Sequence, residues 1–299
     1  MRGCGATIPA VAARDRPEVG GVRTAVLSGP CGHSFDIARS GYINLLQPQD
    51  RRAREPGDAA GAVAARRRLL DAGVGAALLE ALAATIADLG LSRGARTLDI
   101  GSGEGSLLGA LTVRFGLDAA GVELSARAAD LAARRHPGVL WLVANADRGL
   151  PVADGSLDLV LSITARRNPD ECARVLAPGG HLVIAVPAPD DLSELREAAL
   201  GSASREDRVP KVIEEHAALF RQVGRCEARE RRSFSVAQLE DLLIATYRGG
   251  RAGRLERAGR VAGLEVTLSH EIAVFEPLPH STREPPADPS LNDQGNHSS

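Results

Sequence analysis

The residues of this chain with the clearest chemical potential are a glycine-rich turn and two acids that flank it. Asp99 comes just before the turn, which runs from Gly101 to Gly105, and Glu123 ends the next apolar stretch. Glycine permits backbone angles and close approaches that a β-carbon would forbid. A carboxylate placed like Glu123 can accept hydrogen bonds from both hydroxyl groups of a ribose. The pattern predicts a site for a ribose-containing cofactor, with a turn that binds no ligand as the alternative.

The elements around this turn alternate between short apolar strands and helices, which predicts an α/β fold with a parallel sheet and right-handed crossovers. The G-x-G-x-x-G spacing of nicotinamide-binding folds is absent, because Ser106 follows Gly105. The predicted strands are 97–100, 119–123, 141–144, 157–163, 181–186 and 264–275. The predicted helices are 59–70, 75–89, 104–115, 125–135 (capped by Ser125), 171–176 and 235–243, and residues 193–232 are also predicted to be helical.

A loop at the end of the fourth predicted strand, Thr164 to Asn168, is the candidate site for the acceptor. Ligands of doubly wound sheets lie beyond the carboxyl ends of the strands, so this loop should face the reacting group. Arg167 and Asn168 are the candidate catalytic residues, because a guanidinium and an amide can contact a substrate and stabilise developing negative charge.

The turn, with Asp99 and Glu123 around it, resembles that of class I S-adenosylmethionine (AdoMet) methyltransferases. A longer resemblance runs from Cys31 to Phe275. It is carried by the runs His33-Ser34-Phe35-Asp36, Gly41 to Leu46, Arg54 to Asp58 and Ala65 to Gly73. These runs are similar to those of the RlmA-type 23S ribosomal RNA guanine-N1 methyltransferases.

The resemblance implies a Rossmann-like class I methyltransferase sheet, AdoMet as cofactor and ribosomal RNA as partner. It also implies a set of cofactor-binding residues, which are Asp99, Gly101, Ser102, Gly103, Glu104, Gly105, Glu123, Asn145, Asp147 and Asp191. Asn145 and Asp147 stand where the family contacts adenine, with a surface acid as the alternative for Asp147. Asp191 stands where the family often has a histidine.

A small N-terminal zinc-ribbon-like segment is the second implication of the resemblance. The candidate zinc ligands are Cys4, Cys31 and His33. The family uses a C-x-x-C and a C-x-x-x-H, and both patterns are incomplete here. A degenerate ribbon without metal is therefore the alternative, in which His33 is a structural histidine.

The predicted organisation has four parts. They are an RNA-recognition segment (1–46), a linker with helices (47–90), the methyltransferase domain (91–277) and a disordered tail (278–299). The net charge is −2, so RNA binding must use a local basic patch. Four scattered cysteines do not predict a disulfide framework. Without a long apolar run or a secretory leader, the sequence predicts a cytoplasmic protein that does not span a membrane. The oligomeric state stays open, a dimer included.

Three functions remain open at this point. The first is methylation of N1 of a guanine in 23S rRNA. The second is methylation of a small molecule or another RNA by the same fold. The third is a catalytically degenerate AdoMet-binding protein, suggested by departures from the family pattern at Cys4, Gly75, Arg166, Asp191 and Tyr247.

Overall fold

The computed structural model describes residues 25–28, 34–46, 57–201, 206–246 and 263–279. The strands are β1 (Ala25–Ser28), β2 (Ser34–Ile37), β3 (Ile43–Asn44), β4 (Arg96–Ile100), β5 (Asp118–Glu123), β6 (Leu140–Val143), β7 (Leu157–Ile163), β8 (Leu176–Pro187), β9 (Phe220–Ser233) and β10 (Glu265–Pro277). The helices are α1 (Ala60–Asp71), α2 (Ala76–Asp88), α3 (Ser106–Phe115), α4 (Ala126–Arg135), α5 (Pro169–Val175), α6 (Ser193–Leu200), α7 (Val209–His216) and α8 (Val236–Thr246).

One mixed sheet forms the centre of the molecule, with the strand order β1-β2-β3-β6-β5-β4-β7-β8-β10-β9. In the run β6-β5-β4-β7-β8, each strand is parallel to the next. At one edge, β10 pairs antiparallel with both β8 and β9. At the other edge, β3 pairs in parallel with β6, so the N-terminal hairpin extends the same sheet. The chain winds away in both directions from β4 and β7, and ligands of such sheets bind beyond that switch point. The predicted α/β fold is confirmed.

The inner strands are apolar throughout because the sheet is covered on both faces. Val160 of β7 belongs to one buried cluster, together with residues of α5 and α7. Its neighbours Leu159 and Leu161 belong to the cluster on the other face, together with residues of α2 and α3. Trp141 of β6 is 1% exposed and packs in this second cluster. Burial on both faces fixes the register of the strands and so the positions of the residues at their ends.

The first helix, α1, packs away from the central core, whereas α2 belongs to it. Leu69 of α1 lies in a separate apolar cluster with Leu239 of α8 and Val266 of β10. Arg68 of α1 also donates to both carboxylate oxygens of Asp241 of α8. These contacts hold α1 against α8, so that α1 is available to cover the ends of the parallel strands.

The prediction of helix over 193–232 is wrong beyond His216, because residues 220–233 form the edge strand β9. Many charged side chains on both faces of this segment obscured its strand character in the sequence. The structure pairs some of them across to β10, as Arg221 with Glu276 and Arg225 with Glu271. An edge strand tolerates such charges because one of its sides faces solvent.

Within the described residues, no single helix is long and apolar enough to cross a membrane. Only α1 and α2 taken together meet that length and composition, and they are bent by 78° at the break between them.

Candidate active site

The glycine turn leaves β4 sharply and is packed tightly on two sides. Gly101 has a φ of +74°, and a β-carbon there would lie 2.4 Å from Cβ of Ala165 in the loop after β7. Gly105 has a φ of +80°, and its β-carbon would lie 2.4 Å from the Trp141 ring. Both positions therefore require glycine. The contact of Gly101 with Ala165 also brings the predicted cofactor turn next to the predicted acceptor loop.

Glu123, at the end of β5, ties this turn to the neighbouring strand. Its Oε2 accepts a hydrogen bond from the backbone N–H of Gly103 at 2.9 Å, and its Oε1 accepts one from Ser125 at 2.8 Å. Burial raises the pKa of the Glu123 carboxyl, although hydrogen bonds from the backbone N–H groups of Ser125, Gly103 and Leu124 oppose the shift. A carboxylate has about four lone-pair positions, so Glu123 keeps the capacity to accept from a ligand as well.

Asp99 is the least satisfied group of the site. It is 3% exposed, and its Oδ1 atom has no hydrogen-bond partner in the described part of the chain. Burial, and then the charges of Glu123 and Glu104, raises the pKa of Asp99 well above its usual range. Among the described residues, no basic side chain contributes to the pKa shift of either Asp99 or Glu123. A buried unpaired carboxylate is costly, so the site favours a ligand that brings positive charge and hydrogen-bond donors.

The remaining turn residues lie at the start of α3. Glu104 is 3% exposed, and its Oε1 accepts from the backbone N–H of Ser106 at 3.3 Å. The hydroxyl oxygen of Ser102 is buried and has no partner among the described atoms. Ser102 and Asp99 therefore both present unused polar atoms where β4 ends.

Asn145 and Asp147 follow β6, next to β5 in the sheet. The Oδ1 atom of Asn145 accepts from the backbone N–H of Asp147 at 3.1 Å. The exposed carboxylate of Asp147 pairs with Arg166 at 3.4 Å. Asp147 thus borders both the cofactor side and the acceptor loop.

Asp191 lies elsewhere. Its Oδ1 atom accepts from the backbone N–H of Ser269 at 3.1 Å, which joins the turn after β8 to β10. In the sheet, β7 and β8 separate β10 from β4. This bond explains the burial of Asp191 as part of the fold, and its predicted contact with the cofactor stays a prediction.

The segment before α1 covers the end of β5. Asp58 accepts through its carbonyl oxygen from the Ser125 hydroxyl at 3.4 Å. Arg66 of α1 donates from Nη2 to Oδ2 of Asp58 at 2.8 Å and to the carbonyl of Ala245 at 3.2 Å. Its Nη1 lies 3.7 Å from where a β-carbon of Gly103 would be. No sequence pattern indicated a role for Arg66 at this turn, and the structure places its guanidinium there.

Beside the turn, a cleft of about 610 Å³ opens between the acceptor loop and α7. Its charged lining consists of Arg166, Arg167, Arg208 and Lys211 on the basic side and Asp147, Glu206 and Glu215 on the acidic side. The four cations form a local basic patch on a chain whose net charge is −2. The contribution of α7 was missed in the sequence, because the local pattern around Arg208 and Lys211 does not connect them with a loop about forty residues earlier. The one available signal was that Lys211 is the only lysine of the chain.

The two predicted catalytic residues are held differently. Arg167 lines the cleft and donates to the carbonyl of Ala165 at 3.2 Å and to the His216 ring at 3.4 Å. Asn168 caps α5, since its Oδ1 accepts from the backbone N–H of Asp170 at 3.0 Å. Thr164 begins the loop with a φ of +53°, a backbone conformation that is uncommon without glycine and is concentrated at functional sites. The loop is therefore a rigid, mildly strained support for Arg167.

The predicted zinc ligands Cys4, Cys31 and His33 lie outside the described residues. Within the described parts of the chain, no group of three or more histidine, cysteine or acidic side chains is arranged to hold a metal ion.

Comparison with known proteins decides the family. Residues 98–184 match the family model described as a methyltransferase domain. The chain is 36% identical over 256 residues to the 23S rRNA (guanine(748)-N(1))-methyltransferase of Streptomyces fradiae, covering 83% of this chain and 90% of the relative. This chain belongs to the 23S rRNA (guanine-N1)-methyltransferase family. The predicted family and the predicted enzyme class are confirmed.

Two further comparisons show lower sequence identity. A Micromonospora griseorubida protein with the provisional name 23S rRNA (guanine-N(1)-)-methyltransferase is 30% identical over 275 residues, covering 83% of this chain and 90% of that protein. A solved methyltransferase of Geobacter sulfurreducens in complex with S-adenosyl-L-homocysteine is 17% identical, with a TM-score of 0.44, covering 67% of this chain and 90% of that one.

Proposed function

We propose that this methyltransferase transfers the methyl group of AdoMet to N1 of a guanine in 23S rRNA. The observation that carries the proposal is the buried Oδ1 atom of Asp99, which lacks a partner among the described residues, beside a glycine turn that contacts the acceptor loop. Membership of a family whose relatives carry this activity in their names supports the choice of substrate.

The residues around the turn fit AdoMet. The ammonium group of its methionine part is a cationic donor, which would satisfy Asp99 and offset the cluster of three acids. The ribose hydroxyls would use the free lone pairs of Glu123, with Asn145 and Asp147 beside the adenine. The cofactor supplies a methyl group on a positively charged sulfur, and the turn from Gly101 to Gly105 forms the wall against which it binds.

The acceptor cleft fits a guanine and its flanking phosphates. The N1–methyl bond forms as the carbon–sulfur bond breaks, and the leaving thioether is neutral, so the enzyme mainly has to position N1 in line with the methyl group. The N1 proton has to leave, and the carboxylates of Glu206 and Glu215 in the cleft are acceptors for it. Arg167 would stabilise the negative charge that develops on the guanine O6.

An RNA acceptor is favoured over a small molecule by the cleft's charge. Arg166, Arg208 and Lys211 are exposed on its rim, where cations contact phosphates. We retain the N-terminal residues 1–46 as an RNA-recognition segment, with or without zinc, and residues 91–277 as the methyltransferase domain.

The experiment is transfer of tritium from methyl-labelled AdoMet to 23S rRNA purified from a strain that lacks the modification. The labelled position is then mapped by nuclease digestion. The wild-type protein should label one guanine, and Arg167→Ala should label it at least tenfold more slowly. Arg114→Ala is the matched control, because Arg114 pairs with Glu80 at an exposed site on α3 and should leave labelling unchanged. Label in a small acceptor and none in rRNA would overturn the proposal.

A further inference from the structure

His216 is a fully buried histidine at the end of α7, directly behind the acceptor cleft. Its ring stacks on Phe275 of β10, with centroids 5.5 Å apart and planes at 30°. Phe220 of β9 packs against it at 5.8 Å and 54°. Two aromatic rings from the sheet therefore hold the imidazole in one orientation.

Both ring nitrogens of His216 have partners, and the partners determine the tautomer. Nδ1 lies 2.7 Å from the carbonyl oxygen of Val212, which can only accept, so Nδ1 carries the hydrogen. Nε2 then presents a lone pair, to which Nε of Arg167 donates at 3.4 Å. Burial, assisted by the Arg167 charge and opposed by the Val212 bond, lowers the pKa of His216 and keeps the ring neutral.

The bond to His216 is one of two that orient the Arg167 guanidinium. The other runs from Nη1 to the carbonyl oxygen of Ala165 in the acceptor loop. An arginine has five N–H donors, so two bonds fix its plane and leave three donors for the cleft that it lines. A planar group held on two sides loses little conformational entropy when it contacts a substrate.

We propose, on the basis of the methyltransferase function proposed above, that His216 is a positioning residue. Its neutral ring accepts from Arg167 and so fixes the guanidinium toward O6 of the target guanine. His216 itself does not contact the substrate.

The surroundings of His216 give the proposal a pH dependence. Arg167 faces the ring from the acceptor loop, and Glu215 lies beside it on α7. Cys172 of α5 lies near Arg167, while Phe220 and Phe275 are uncharged. Glu215 favours a protonated ring, whereas burial and Arg167 oppose it. Once protonated, Nε2 becomes a donor and repels Arg167, so kcat should fall as the pH drops below the ordinary range of histidine.

Three variants separate the hydrogen bond from the packing. His216→Phe keeps a ring but removes the acceptor, and it should lower kcat about 10- to 100-fold, the effect of losing a hydrogen bond to a charged group. His216→Gln restores an acceptor that does not titrate in this range, and it should recover kcat to within about threefold of wild type and remove the acid limb of the pH profile. Ile213→Ala loosens the packing of α7 against the same apolar cluster, away from the cleft lining, and keeps the acceptor, so its kcat should stay near that of wild type. The KM for AdoMet should not change in any of them.

A readout independent of activity is the ¹⁵N spectrum of the arginine Nε–H groups, with the Arg167 signal assigned through Arg167→Lys. That Nε–H should exchange slowly in wild type and in His216→Gln, and rapidly in His216→Phe. Slow exchange without rRNA methylation would refute the proposed substrate and leave the His216 contact intact. Equal kcat in His216→Phe and wild type, or equal exchange of Arg167 in both, would overturn the positioning role.

Discussion

Replacing Asp99 by asparagine should stabilise the ligand-free protein while weakening its affinity for AdoMet. The side chain is 3% exposed, and its Oδ1 atom lacks a partner in the described residues. Burial, Glu123 and Glu104 raise its pKa well above the usual range, so keeping it charged at neutral pH costs folding free energy. An asparagine has nearly the same shape and no charge.

The magnitude follows from the cost of a buried unsatisfied polar group, which is about 1–3 kcal/mol. An amide in the same place still needs partners, so the net gain should be about 1–2 kcal/mol. For a domain of this size that corresponds to a rise in Tm of about 2–8 °C. Loss of a charge-assisted bond to the cofactor ammonium should weaken AdoMet binding about 10- to 100-fold.

The raised pKa of Asp99 also determines how the stabilisation by Asp99→Asn changes with pH. The folded pKa of Asp99 lies above the unfolded value of 3.8, so the folded chain binds more protons between the two values. The stabilisation by Asp99→Asn should be absent below pH 3.8 and should grow as the pH rises from there to the folded pKa. The assays are thermal unfolding at several pH values and calorimetry with AdoMet.

Asp158→Asn is the matched control with the opposite sign. Arg96 donates to Asp158 from its backbone at 2.8 Å and its side chain at 2.9 Å, and this lowers the pKa of Asp158. The pair is partly exposed, so its loss should destabilise the protein by only about 0.5–1 kcal/mol and leave AdoMet affinity unchanged. An Asp99→Asn variant that melted no higher than wild type and bound AdoMet equally well would refute this role of Asp99.

Three further substitutions test other parts of the structure. Glu123→Gln should weaken AdoMet binding by at least tenfold in calorimetry, because its amide N–H groups would face backbone donors that the carboxylate now satisfies. Gly101→Ala should lower Tm and reduce kcat more than AdoMet affinity, because its β-carbon would lie 2.4 Å from Ala165 and displace the acceptor loop; unchanged kinetics would contradict this contact. Glu194→Gln tests the stability at acidic pH. Burial alone would raise the pKa of Glu194, but hydrogen bonds from Thr267 lower it to about 2. Wild type should therefore lose stability in urea unfolding as the pH falls from 4.5 toward 2, and the variant should largely lack this pH-dependent contribution.

The cofactor side of the site could be predicted because it is encoded locally. Asp99 and Glu123 each lie at the carboxyl end of an apolar strand, and the pairing of Asp99 with Gly121 sets those ends side by side. Parallel sheets place such ends at one edge, so two acids and a glycine turn suffice to indicate a pocket.

The acceptor side could not be predicted in the same way. Arg208, Lys211 and His216 come close to the loop after β7 only because α7 packs on one face of the sheet. This contact joins residues far apart in the sequence, so no local motif indicates it. The error over β9 has a related cause, since its charges are paired with β10 in three dimensions. Asp191 was assigned by family position alone, and its bond to Ser269 shows a role in the fold that the position did not indicate.

The most direct test of the central claim is identification of the methylated nucleoside and its position after wild-type protein has acted on unmodified 23S rRNA. Methylation of N1 blocks Watson–Crick pairing, so reverse transcription should stop at one guanine, and mass spectrometry of the digest should show 1-methylguanosine. Both signals should be at least tenfold weaker with Asp99→Asn at an AdoMet concentration well below the Kd of that variant. An rRNA that carries no new methyl group, or carries it on an atom other than guanine N1, would contradict the account.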